Sequence, residues 1–240
     1  MTATSRRFPL GLTAAAAVAF AILCGLGTWQ LQRLTWKRGE IARVEAARTA
    51  APRPLAEALA AGARGEDVDY TRVEAQCPGL PRATYVELYS LHQGQAGSRL
   101  ISACAIADGP YDSILVDRGF VSETMSARPF ADPLSAQPFT VRGVLRRPTR
   151  PSSFAAGRDP GGRFHARAVG PLAQALGAPR PAPWFLMAET PTNPEWRALR
   201  PLPLPTTLSN RHLEYAVTWF GLAAALAGVY GAFLWRRLRP

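Results

Sequence analysis

Histidine and cysteine are the side chains whose chemistry reaches furthest, and this chain has three of each. His92 falls between a strand candidate and Gln93-Gly94, and His165 lies among arginines. Neither has a cysteine or carboxylate at metal-ligand spacing, so both are expected at surface or structural positions. No nucleophile elbow and no glycine-rich phosphate loop occurs, and no catalytic residue is assigned. Asp117-Arg118-Gly119 closes a strand candidate and reads as an Asp–Arg pair at a turn. His212 is different. It opens a long apolar run, where an imidazole without a partner is expensive, and at about 100° per residue it shares a helical face with Tyr215 and Trp219. Taken alone it is either a hydrated interfacial histidine or a ligand.

The elements that must position these residues start with two apolar runs. Phe8 to Gln32 is 25 positions without a charge, and Tyr215 to Trp235 is 21. At 1.5 Å per residue each crosses a hydrocarbon core of about 30 Å. Trp29, Trp36, Trp219 and Trp235 stand near the ends of the runs, as interfacial anchors do. The first run is too long for a signal core, so Ser5-Arg6-Arg7-Phe8 and Cys24 are not taken as a cleaved leader. Arg6 and Arg7 before the first run, and Arg236, Arg237 and Arg239 after the second, assign both tails to the cytoplasm. The expected organisation is a tail at 1–7, a membrane helix at 8–32, an extracytoplasmic domain at 33–210, a second membrane helix at 211–235 and a tail at 236–240.

Between the runs the pattern changes. Thr35 to Ala50 extends the first helix, and Leu55 to Ala61 is a short helix candidate. Strand candidates follow at Tyr70–Gln76, Tyr85–Leu91, Arg99–Ala107, Ser113–Phe120 and Phe139–Leu145, then a helix at Gly170–Leu176 and a strand at Trp184–Glu189. Alternation in Thr140-Val141-Arg142-Gly143-Val144 marks a half-buried strand, and Pro78-Gly79, Gln93-Gly94 and Asp108-Gly109-Pro110 mark turns. The class is an α+β membrane protein: two transmembrane helices flanking an antiparallel β-rich domain or partly closed barrel. Cys77 and Cys104 sit in neighbouring strand candidates. They either bridge in an oxidising compartment or are two buried apolar cysteines.

Composition narrows the function classes. The chain is 48% hydrophobic, which excludes general disorder. Its net charge of +11 comes from 28 cations, of which only Lys37 is a lysine. No nucleic-acid-binding motif accompanies that charge. Arg142, Arg146, Arg147, Arg150, Arg158, Arg163 and Arg167 cluster against Asp159 alone in sequence. They are either a surface for anionic headgroups or an acidic partner, or a solvated face.

In the first run Trp29, Gln32, Arg33 and Trp36 also share a helical face. If the two helices pack, His212, the tryptophans, Arg33 and Arg211 converge at one depth. That combination suits haem: ring stacking, iron ligation and paired propionates. Three stretches then carry a family likeness: Gly27-x-Trp29-Gln30-x-x-Arg33-x-x-Trp36-Lys37; Val116-Asp117-Arg118-Gly119-Phe120-Val121; and Arg211-His212-Leu213-Glu214-Tyr215-Ala216-x-Thr218-Trp219-Phe220. In this order they resemble the three signatures of the Surfeit-locus family of cytochrome c oxidase assembly factors. The resemblance implies a non-enzymatic assembly factor of the bacterial inner membrane, with its central domain facing the periplasm. It aids haem a insertion or stabilises the haem-bearing catalytic subunit; the alternative is a scaffold or chaperone that binds no haem. Implied partners are that subunit, a haem a synthase and membrane lipid. The resemblance puts His212 on the iron. Tyr215, Trp219 and Trp29 are expected to shape the pocket, with Arg33 and Arg211 facing propionates.

Overall fold

A computed structural model describes residues 8–148, 157–204 and 209–239. Arg6, Arg7 and Arg150 of the sequence reading lie outside the described residues. Two compact units emerge: one holds the chain up to Arg43 together with the C-terminal helix, and the other runs from Val44 to Pro205. The first helix continues well past Gln32, to Thr49, as the pattern from Thr35 to Ala50 led one to expect.

The helical unit is built from α1 (Leu10–Thr49, continuing beyond the unit) and α4 (His212–Leu238). Their most apolar windows have mean hydropathies of 2.1 and 1.7, and only 6% of each window is buried. A core helix of a soluble domain is buried over most of such a window; these two present apolar surface outward, as membrane spans do.

The second unit is a seven-stranded sheet with one helix on each face. Its strands are β1 (Arg53–Pro54), β2 (Arg72–Gln76), β3 (Val86–His92), β4 (Gln95–Ala105), β5 (Ser113–Ser122), β6 (Thr140–Arg146) and β7 (Pro181–Ala188), in the order β1-β2-β6-β7-β5-β4-β3. Four pairings are antiparallel, but β1 pairs parallel to β2 and β5 parallel to β7, so the sheet is mixed. The reason is connectivity. α3 (Val169–Leu176) lies on the path from β6 to β7, and β7 inserts between β6 and β5 instead of extending a meander.

α2 (Leu55–Ala63) turns Leu55, Ala58 and Leu59 onto one face of the sheet, against Val73, Val116, Leu145 and Leu186. α3 turns Leu172 and Ala173 onto the other, against Ile101, Leu115 and Phe185. The first face is strongly curled. β2 and β4 are separated by three strands, which in a flat sheet would put them about 19 Å apart. Yet Cys77, just past β2, is disulfide-bonded to Cys104 in β4, with the two Cα atoms 5.4 Å apart. Both cysteines are buried in the core that α2 covers.

The arginines grouped in the sequence reading are not opposed by Asp159 alone. Arg142 pairs with Glu74, Arg146 with Asp69, Arg147 with Asp67, and Arg163 with both Glu123 and Asp159. Their partners come from distant segments, chiefly β2 and the turn before it, which sequence spacing does not reveal.

Candidate functional site

The first and third motifs meet inside the helical unit. His212, the first residue of α4, places Nδ1 2.7 Å from Gln30 Oε1 on α1. An amide oxygen only accepts, so Nδ1 carries the proton and Nε2 keeps its lone pair. Among the described residues nothing hydrogen-bonds to Nε2.

The helices are antiparallel, with Gln30, Gly27 and Thr13 of α1 meeting His212, Phe220 and Tyr230 of α4 in that order. Gly27 suits the approach: a Cβ there would stand 2.7 Å from Phe220 Cζ and push that ring aside. On α4 the inward stripe is His212, Ala216, Phe220 and Ala223, with both alanines buried. The Thr13 and Tyr230 hydroxyls hydrogen-bond to each other.

The residues expected to surround His212 are placed unevenly. Trp29 is 54% exposed and Tyr215 53%, both turned off the α1–α4 seam, while Trp219 is half-buried. No ring contact joins any of the three to His212 among the described residues. Arg33 lies 3.8 Å over the Trp36 ring. Arg211 caps α4 and has no carboxylate partner among the described residues. Asn210 Oδ1 is buried without a hydrogen-bond partner. Gln30 is the partner of His212 that residue type and spacing alone did not single out. Its signal was there: a side-chain amide one turn from Gly27, inside an uncharged run, needs a partner of its own.

The second motif does something else. The Asp–Arg pair expected at a turn is instead two buried residues within β5 whose side chains take opposite faces. Asp117 sits 2.7 Å from Arg99 Nε and 3.4 Å from an Arg167 nitrogen. Arg118 donates to the carbonyls of Pro81 (2.8 Å) and Ala83 (3.3 Å) and to the hydroxyls of Ser102 and Thr192. Burial lowers the Arg118 pKa to about 10, so it stays charged at neutral pH. Burial likewise lowers the Arg167 pKa, against the opposing pull of Asp117. These are contacts that hold the fold. Gly119, at φ +125°, lets the backbone carbonyl of Arg200 approach β5; a Cβ would stand 2.2 Å from that oxygen.

Elsewhere, His92 ends β3 and its ring lies 5.5 Å from that of Phe120. His165 stacks on Tyr89 and faces Asp159 at 3.4 Å. Among the described residues no group of three or more His, Cys, Asp or Glu is placed to hold a metal ion.

Comparison with known proteins points to one family. The SURF1 family model matches residues 17–224. The chain is 31% identical over 230 residues to a "SURF1-like protein" of Drosophila melanogaster, covering 89% of this chain and 72% of the relative. It is 28% identical to "Surfeit locus protein 1" of Homo sapiens, covering 88% and 72%, and 28% identical to that of Takifugu rubripes, covering 90% and 93%.

Proposed function

This chain belongs to the SURF1 family of cytochrome oxidase assembly factors, and from that premise we propose that it holds haem a at the mouth of its paired apolar helices while the catalytic subunit of a haem–copper oxidase matures. The mouth opens on the periplasmic side of a bacterial inner membrane. The central domain stands in the periplasm, which fits the disulfide it contains.

The observation that carries the reading is the His212–Gln30 hydrogen bond. It fixes the ring orientation and leaves Nε2 basic and unpartnered, which is the support a metal-binding imidazole needs from its neighbours. Arg33 and Arg211, neither held by a carboxylate among the described residues, supply positive charge for propionates. The orphaned Asn210 Oδ1 fits a group completing its hydrogen bonding. Haem a brings its own redox chemistry, used only once it is in the oxidase. The chain's part is to bind and orient it.

The test is the absorption spectrum of protein purified from cells making haem a, compared with His212→Ala. Loss of the bound pigment in the variant is expected; unchanged occupancy removes His212 from the ligand role. A scaffold without haem is the second reading, favoured by the outward-turned Trp29 and Tyr215, which suit contact with a partner helix. It requires normal association with the oxidase subunit in haem-deficient cells.

A further inference from the structure

The second motif also builds a cavity that the helical site does not use. β5 carries one extra residue opposite β4: Ile101 pairs with Asp117 and Arg99 with Phe120, so Phe120 returns to the face of Asp117. The same registers bring His92 opposite Gln95 and Gly97 opposite Ser122, which places His92, Gln95, Phe120 and Ser122 on that face. Gly97 has no side chain to spare, since a Cβ would meet the Phe120 ring at 2.5 Å. Phe120 N–H donates to the Arg200 carbonyl at 2.7 Å, and Arg200 N–H donates back to the Phe120 carbonyl at 3.0 Å. Those bonds lay Arg200–Leu202 across the end of the sheet. The resulting cleft, open to solvent, is about 340 Å³, lined by His92, Gln95, Ser122, Thr124 and Arg200 on its polar side, and by Phe120, Met125 and Leu202 on its apolar side.

The polar side offers one fixed cation, Arg200, and four side chains that can each turn a donor inward. The Arg200 guanidinium, the His92 nitrogens and the Gln95 amide have no hydrogen-bond or ion-pair partner among the described residues. Ser122 and Thr124 hydroxyls bond to each other at 2.9 Å, which uses one of their two protons. Among the described residues no carboxylate lines the cleft. The nearest in sequence, Glu123, is turned to Arg163 at 2.8 Å. The cavity has far more room than a bare oxyanion fills, and its apolar wall suits a carbon chain attached to one.

From this arrangement we propose that the cavity binds a phosphate group, with Arg200 as its main charge partner and His92, Gln95 and the Ser122–Thr124 pair as further donors. A phospholipid headgroup and free phosphate share that chemistry. The inference stands apart from the haem reading, since none of these residues belongs to the helical unit.

The full chain, labelled with ¹⁵N-histidine and held in maltoside micelles, has only three imidazoles to observe. His92→Gln identifies the His92 signal. Titration with dihexanoyl-phosphatidylglycerol, and separately with inorganic phosphate, is expected to shift that signal saturably. A response to the lipid alone makes the headgroup the ligand, and a response to inorganic phosphate makes free phosphate sufficient. Arg200→Gln should weaken binding roughly tenfold or more, and Arg200→Lys should restore part of it. Undisturbed His165 and His212 signals show that each variant is folded. Thr124→Val, at an exposed position, is an independent check expected to weaken binding about threefold. The proposal is overturned if neither titrant moves the His92 signal, or if Arg200→Gln and Thr124→Val both bind like the parent.

Discussion

Asp117 and Arg118 are neighbours in the chain that never meet: the Asp117 carboxylate lies 2.7 Å from Arg99 on one face of β5, while Arg118 reaches 2.8 Å to the Pro81 carbonyl on the other. Asp117 faces Arg99 on the paired strand β4 and Arg167 in the segment before α3, while Arg118 bonds to Ser102 of β4 and to two loops outside the ladder. Arg118 ties the turn at Pro81–Ala83 and the Thr192 loop to the curled face. Asp117 balances two arginines in a place where an uncompensated charge is costly.

Removing either partner should therefore cost more than a surface ion pair would. Arg118→Met leaves two carbonyls and two hydroxyls without their donor, and Asp117→Asn leaves Arg99 and Arg167 without their counter-charge. Each is expected to lose about 3 kcal/mol. Denaturant titration of the full chain in detergent, read by tryptophan fluorescence, measures it. A loss below about 1 kcal/mol for both would mean that water replaces these contacts.

Gly119→Ala introduces a Cβ 2.2 Å from the Arg200 carbonyl oxygen, at a φ of +125° that side chains resist. A destabilisation of about 2 kcal/mol or more is expected. Faster amide exchange should also appear at Phe120 and Arg200, whose N–H groups make the two bonds of that bridge. Wild-type protection at both amides would show that the loop tolerates the side chain.

Acid should weaken the β-rich unit through named carboxylates. Burial pushes Glu87 up, but hydrogen bonds from Arg128, with the charges of Arg128 and Arg163, outweigh it and hold Glu87 below its ordinary 4.5. The Arg163 backbone N–H, with the Arg163 and His165 side chains, holds Asp159 below its ordinary 3.8. A carboxyl whose folded pKa is depressed contributes stability above its unfolded value and loses it as pH falls through the folded one. The melting temperature of the full chain should thus decline from about pH 4.5 downward. Arg128→Gln should flatten the Glu87 part of that decline; an identical profile in the variant would remove Glu87 from the account.

Gln30→Leu keeps side-chain bulk but takes the acceptor from His212 Nδ1. If haem occupies the site, the variant should keep the pigment but bind it about tenfold more weakly, with a shifted Soret band. A spectrum and affinity matching the parent would leave Gln30 with a packing role only.

Much of the fold could be read from local pattern. The two apolar runs became α1 and α4, and every strand candidate between Tyr70 and Glu189 has a strand overlapping it. β4 begins earlier than alternation suggested because Gln95–Ser98, small and polar, is held by pairing across the Gln93-Gly94 turn, whose φ values of 50° and 79° suit a tight hairpin. The insertion of β7 between β6 and β5 was not legible, since strand order depends on contacts far apart in sequence. The same limit hid the ion-pair partners of Arg142, Arg146 and Arg147. At the helical site, spacing identified His212 but ranked the aromatic residues above Gln30. Periodicity says which residues share a face and not which face meets the neighbour; Ala216 and Ala223 mark the seam, and Tyr215 lies off it.

The bond between Cys77 and Cys104 does what backbone pairing does in a closed barrel. It joins the rolled margins of β2 and β4 where no ladder runs between them, so the ring of five strands is completed by sulfur. Whether that ring shuts is then decided by the redox state of the surroundings as well as by sequence. A chain kept among reducing thiols would lose the covalent tie along this line and keep only the packing beneath α2 and the Arg118 bonds to Pro81 and Ala83 across it.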